Sequence, residues 1–126
     1  AGYSGAISRR WPIVQEKYLE WYRKNDKING TTGPFALGNN QYVNCGGGII
    51  VVNMIAMSGV RSRFRTKPLV ETELMACLFK LSQLDSKNSD FYFAKIGSGL
   101  AGGDWNLIKY FIETFLNPHD FNLIYI

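Results

Sequence analysis

The feature that most constrains this chain is a glycine-rich segment, residues 95–105, which joins a predicted strand to a predicted helix. The residues before it, 91–96, are rich in aromatic side chains and are typical of a short buried strand. The apolar residues that follow recur at helical spacing: Trp105, Ile108, Phe111, Ile112 and Phe115. Four glycines lie within seven positions of the loop, which favours positive φ angles or a ligand lying against bare backbone. The fold must therefore contain a strand–loop–helix unit whose loop has almost no side chains.

The helix that follows this loop predicts an anion site. Free backbone N–H groups and the positive end of the helix dipole meet at a helix N-terminus, and both favour an anion. We therefore expect a phosphate or pyrophosphate to bind the loop. The alternative is a simple tight turn in which Asp104 only caps the helix. The spacing Gly97-x-Gly99-x-x-Gly102 lies too late in the chain for a dinucleotide fingerprint, and no Gly-Lys-Ser/Thr closes the loop as in a Walker A motif.

Length and charge set broad limits on domain number and partners. The chain has 126 residues, 46% of them hydrophobic, which fits one compact domain. A net charge of +4 suits an anionic ligand. The densest basic group is Arg61, Arg63, Arg65 and Lys67, in a predicted loop. This loop is either a solvated segment beside an anion site or a patch for nucleic acid.

Cysteine usage and hydropathy predict a cytoplasmic protein. Cys45 and Cys77 form neither a CxxC motif nor a Cys/His ligand set, so we expect reduced thiols and no metal or cofactor. No stretch reaches the roughly 18 uninterrupted apolar residues of a membrane span, and no signal peptide opens the chain.

The remaining periodicity predicts an α/β fold. Pro12 separates a short helix from a longer one, and Cys45-Gly46-Gly47 separates two extended segments, 34–44 and 48–57, as in a hairpin. A helix is predicted to begin at Pro68, and residues 121–126 form a final strand. We therefore expect a mixed sheet flanked by helices on both faces. Ligands bind beyond the carboxyl ends of strands in such sheets, which groups the Gly-rich loop, the loop after Ala56 and the end of the last strand near Tyr125.

Four segments of the chain together match the pattern of one family. Residues 96–105 (IGSGLAGGDW), 52–56 (VNMIA), 1–12 and 121–126 resemble the macro domain, the ADP-ribose-binding α/β module. They are similar to its second phosphate-binding loop with the following helix, its central strand, the end of its first Gly-rich loop with the first helix, and its closing strand. The resemblance is closest to the branch with ADP-ribose 1''-phosphate phosphatases and ADP-ribosyl-glutamate hydrolases. It implies one three-layer α/β/α domain over residues 1–126 that lacks its N-terminal strands.

The resemblance also implies a set of ligand-binding positions. Backbone N–H groups of residues 97–102 would hold the diphosphate and the distal-ribose phosphate, Ser98 would add a hydroxyl donor, and Tyr125 would stack on adenine. The full set is Gly2, Tyr3, Ser4, Ala56, Met57, Ser58, Gly97, Ser98, Gly99, Leu100, Ala101, Gly102 and Tyr125. For Met57, Ser98 and Tyr125, packing or turn formation is the competing interpretation.

The catalytic content of the site is left open. The glutamate-hydrolase relatives use a Lys after the central strand and an Asp in the Gly-rich loop, and the matching positions here are Met57 and Ala101. No catalytic residue is therefore assigned. The expected function is binding of ADP-ribose or ADP-ribose 1''-phosphate, with removal of the phosphate or of ADP-ribosyl groups as an associated activity. The alternatives are a non-catalytic reader of ADP-ribose or of a related nucleotide, and an RNA-binding accessory protein that uses the arginine-rich loop. The expected partner is ADP-ribose or a derivative, with an ADP-ribosylated protein or nucleic acid as a further candidate.

Overall fold

The order of elements is known from a computed structural model, which describes residues 2–26, 35–57, 69–84, 89–96 and 102–126. These residues form four helices and four strands: α1 (Gly2–Arg10), α2 (Pro12–Asp26), β1 (Asn40–Asn44), β2 (Ile50–Met54), α3 (Glu71–Ser82), β3 (Asp90–Phe93), α4 (Trp105–Phe115) and β4 (Asn122–Tyr125). The break between α1 and α2 falls at Trp11, directly before Pro12, as the sequence predicts. None of the helices in these ranges has the length and apolarity needed to cross a membrane.

The first two strands form an antiparallel hairpin. Its register pairs Asn40 with Met54 and Asn44 with Ile50, and the Cys45 N–H donates to the Ile49 carbonyl at 2.9 Å. Residues 46–48 are all glycines with positive φ, a conformation that other residues rarely adopt. The predicted hairpin is confirmed, although both strands are shorter than the extended segments expected from the sequence.

Helices contact both faces of β1. The Gln41 side chain donates to the Lys17 carbonyl of α2 at 2.9 Å, whereas the Asn40 side chain donates to the Cys77 carbonyl of α3 at 2.9 Å. Successive side chains of a strand point to opposite faces, so α2 and α3 lie on opposite sides of the hairpin. The Asn53 amide of β2 donates to Gln41 Oε1 at 3.0 Å, so the Gln41 side chain bonds to both β2 and α2.

The last two strands form a parallel pair. Their register joins Asp90 to Asn122 and Phe93 to Tyr125, and the Ile126 N–H donates to the Phe93 carbonyl at 2.8 Å. Within the described ranges this pair and the hairpin are two separate two-stranded sheets. The α/β class with both parallel and antiparallel pairing is confirmed, and a single sheet between two helical layers stays a prediction.

Helices α3 and α4 supply half of the residues of the buried core. The buried cluster consists of Ala56, Leu69, Leu74, Leu78, Leu81, Phe93, Ile108, Ile112, Leu116 and Phe121. Val52 and Met54 of β2 and Phe91 of β3 pack against it, so both sheets share this core. Helix α3 begins at Glu71, three residues after Pro68, which lies outside the described residues. Leu69 is buried and precedes the helix.

Candidate functional site

The described part of the Gly-rich segment consists of its two ends. Before the loop, the Ile96 N–H donates to the Ala94 carbonyl at 2.7 Å, so the chain turns directly after β3. After it, Gly102 has a φ of +76°, as the glycine content predicts. The predicted residues Gly97, Ser98, Gly99, Leu100 and Ala101 lie outside the described ranges, as do Ser58 and the arginine-rich loop, and their roles stay predictions.

Asp104 caps α4. Its Oδ1 accepts a hydrogen bond from the Asn106 backbone N–H at 2.9 Å, and its backbone is extended with φ −82° and ψ 117°. Its carbonyl accepts from the Ile108 N–H at 2.9 Å, the first bond of the helix ladder. This geometry satisfies one of the N–H groups that a helix leaves without an internal acceptor. The Asp104 carboxylate therefore stabilises the N-terminus of α4, where the loop ends.

Tyr125 lies beside the start of this helix. Its ring is in edge-to-face contact with Trp105, with centroids 5.8 Å apart, and the Lys109 ammonium lies 4.9 Å from its centroid. Its hydroxyl donates to Glu113 Oε1 at 3.0 Å. Burial, followed by this hydrogen bond and the Glu113 charge, raises the pKa of Tyr125 to about 12. The fold thus brings the end of the last strand next to Trp105, the first residue of α4. The grouping of this strand end with the Gly-rich loop and the loop after Ala56 stays a prediction.

These contacts bear on the stacking role expected of Tyr125. The ring is already engaged by Trp105 and Lys109, and it also lies 6.4 Å from the Phe93 ring. Stacking on adenine stays a prediction.

The residues after β2 divide between core and surface. Ala56 is buried in the core, and its carbonyl accepts from the Val70 N–H at 2.8 Å. Met57 is 45% exposed and forms an isolated bridge with Leu69. Of the two, only the Met57 side chain is open to solvent.

The N-terminal residues of the predicted site are helical. Gly2, Tyr3 and Ser4 form the first turn of α1, where the sequence predicts the end of a Gly-rich loop. Tyr3 and Ser4 are both exposed. In an anion site these residues would contribute the backbone N–H groups of the first helical turn. The Gly-rich loop expected at this place would also bind an anion through backbone N–H groups.

Sequence reasoning missed the contacts that α4 makes with Tyr125. Trp105, Lys109 and Glu113 are spaced by four residues along α4, so they share one face of the helix, and each contacts Tyr125. The spacing was available in the sequence, but a search for apolar periodicity counts only Trp105 among the three.

No other described residues supply a reactive cluster. In the ranges 2–26, 35–57, 69–84, 89–96 and 102–126, no three His, Cys, Asp or Glu side chains are grouped as a metal site requires. His119 is exposed in the turn before β4, where its N–H donates to Asn117 Oδ1 at 2.9 Å. Both cysteines are free, and burial raises the pKa of Cys77 to about 11.

Comparison with known proteins supports the fold. No family model matches the chain, and no curated protein matches it significantly. The crystal structure of a protein from Bacteroides thetaiotaomicron is similar to this chain, with a TM-score of 0.76 and 24% sequence identity. The match covers 99% of this chain and 78% of that protein's chain. A protein of unknown function from Bacteroides thetaiotaomicron has a TM-score of 0.74 at 24% identity, over 100% of this chain and 78% of that one. At this identity the likeness concerns the fold alone.

Proposed function

We propose that residues 1–126 form one macro-like domain that binds ADP-ribose or ADP-ribose 1''-phosphate through residues 97–102. The proposed domain has one mixed sheet with helices on both faces. The observation that carries the proposal is the contact between Tyr125 and Trp105, with ring centroids 5.8 Å apart. It joins the end of the last strand to the helix that follows the Gly-rich loop, and ligands of α/β folds bind at such strand ends.

The chemistry of the loop suits a diphosphate. Backbone N–H groups of a glycine-rich turn can surround phosphate oxygens, and the N-terminus of α4 adds a favourable dipole. The positive φ of Gly102 supports a loop that presents main chain instead of side chains. The net charge of +4 attracts an anion over a longer range.

The geometry favours a reader over a hydrolase. Asp104, the carboxylate nearest to the loop, accepts a hydrogen bond from the Asn106 N–H and serves as the helix cap. Met57 and Ala101 lack the ionisable groups that the resembling hydrolases use at these positions. We therefore propose binding as the primary function. Removal of the 1''-phosphate by positioning and backbone donors is the second candidate.

Calorimetry with ADP-ribose tests the binding proposal. Gly99→Glu places a carboxylate in the phosphate site and is expected to abolish binding. Tyr110→Glu is the matched control, because it adds the same charge at a 64% exposed position on α4. Binding by the wild type and the control, with loss in Gly99→Glu, supports the proposal. Equal affinity in all three proteins refutes the loop as the site.

A second assay separates reader from enzyme. Wild-type protein is incubated with ADP-ribose 1''-phosphate and released phosphate is measured over time. Binding without turnover supports the reader, and turnover that Gly99→Glu abolishes supports the phosphatase. RNA binding with a steep salt dependence, in a protein that does not bind ADP-ribose, would favour the RNA-binding alternative.

A further inference from the structure

The hairpin lies in a part of the chain that has no charged residue. Residues 28–60 contain no Asp, Glu, Lys, Arg or His, although charged residues make up 19% of the whole chain. Natural edge strands are commonly protected against pairing with another strand by charges, by proline or by a bulge. Strand β1, with the sequence NQYVN, has no charge or proline, and its pairing with β2 runs in continuous register.

The outer edge of β1 presents a row of main-chain groups. The bonds from Cys45 N–H to Ile49 and from Ile55 N–H to Asn39 fix which residues face the hairpin partner. In an antiparallel ladder the intervening residues direct their N–H and C=O groups the other way, so those of Asn40, Tyr42 and Asn44 point away from β2. Among the described ranges these groups have no main-chain partner.

The second strand offers a less open edge. Beyond Met54, the Ala56 carbonyl accepts from the Val70 N–H and Met57 bridges Leu69, so the chain at 69–70 lies along the continuation of β2. Val52 and Met54 also pack against the core. At β1, in contrast, the Tyr42 side chain is 41% exposed and Asn44 is exposed.

We propose that β1 pairs antiparallel with β1 of a second copy of this chain, about a two-fold axis at Tyr42. This register places Tyr42 opposite Tyr42 of the second copy and Asn40 opposite Asn44. It forms about six ladder hydrogen bonds, with an aromatic pair at the centre. This pairing does not require the proposed ligand.

The absence of charge is what selects a second copy as the partner. A strand that pairs with itself about a two-fold axis places each charge near its own copy, and like charges directly opposite each other are destabilising. A strand without charge avoids this repulsion, whereas a foreign acidic or basic peptide would gain no charge complementarity from it. Because the strand has only five residues, the dimer is weak and depends on concentration.

Sedimentation equilibrium over a concentration series tests the proposal, together with hydrogen exchange of single amides. For the wild type we expect reversible dimerisation, with amide protection of Tyr42 and Asn44 that increases with concentration. Tyr42→Lys places like charges opposite each other and should weaken dimerisation at least tenfold. Tyr42→Pro removes two of the inter-strand bonds but none within the hairpin, and it should have a similar effect. Tyr110→Lys, the same change at a 64% exposed site on α4, should dimerise as the wild type does.

Circular dichroism shows whether each variant folds, and if Tyr42→Pro does not, Tyr42→Lys carries the test. A wild-type chain that stays monomeric at millimolar concentration overturns the proposal. So does a dimer that tolerates Tyr42→Lys, or concentration-dependent protection confined to amides outside β1.

Discussion

The cap of α4 permits a quantitative prediction, because Asp104 can be changed in two ways that separate its structural role from a chemical one. Asp104→Ala removes the oxygen that accepts from the Asn106 N–H at 2.9 Å. Asp104→Asn keeps an oxygen acceptor at the same place and removes only the charge. Asn and Asp are about equally good N-caps, whereas Ala is poor.

The expected losses follow from these differences. Replacing an N-cap by Ala costs about 1 kcal/mol within a range of roughly 0.5–2 kcal/mol. In a domain of this size, 1 kcal/mol corresponds to a fall in Tm of about 3–5 °C. Asp104→Asn loses only the attraction between a carboxylate and the helix dipole, about 0.3–1 kcal/mol at low salt and less at high salt. The order of stability should therefore be wild type, then Asn, then Ala.

Thermal unfolding at two salt concentrations, with calorimetry of ADP-ribose on the same samples, measures both roles. If Asp104 is a cap, Asp104→Asn binds ADP-ribose as the wild type does, and the gap in Tm between them narrows at high salt. Equal Tm values for Asp104→Ala and the wild type would show that the cap contributes nothing. Loss of phosphate release in a stable, ligand-binding Asp104→Asn variant would instead assign the carboxylate to the reaction.

Three further predictions concern the core, a titrating tyrosine and the two thiols. Ile112→Ala, at a fully buried position, should lower the free energy of unfolding by about 2–5 kcal/mol. Leu107→Ala, at a 37% exposed position on the same helix, should lower it by much less, and urea unfolding measures both changes. The pKa of Tyr125 is about 12 in the folded protein and about 10 in the unfolded chain. The stability that the protonated Tyr125 hydroxyl contributes is therefore present below pH 10 and is lost between pH 10 and 12. The difference in urea midpoint between wild type and Tyr125→Phe should therefore shrink between pH 9 and 12, and a constant difference would contradict the raised pKa of Tyr125. A thiol reagent at pH 8 should modify the partly exposed Cys45 in the native protein, and the buried Cys77, whose pKa is about 11, only after unfolding.

Local patterns in the sequence predict the elements of this fold better than their assembly. The spacing of Ile108 and Ile112 predicts α4, and both residues are fully buried there. Cys45-Gly46-Gly47 predicts the hairpin, and the turn has positive φ at Gly46, Gly47 and also at Gly48. Which strands share a sheet depends on contacts between distant parts of the chain, which periodicity does not encode.

The Tyr125 cluster shows why a candidate site needs the fold as well as the motif. Trp105, Lys109 and Glu113 are spaced as on any helix, and nothing in that spacing indicates which side chain they meet. Because β4 lies parallel to β3 in the observed register, Tyr125 is placed opposite Phe93, at the end of the strand that leads into the Gly-rich segment. Its contact with Trp105 then ties the last strand to the first turn of α4. Any change that shifts β4 should therefore act on the loop through this contact, even though β4 and the loop are more than 15 residues apart in sequence.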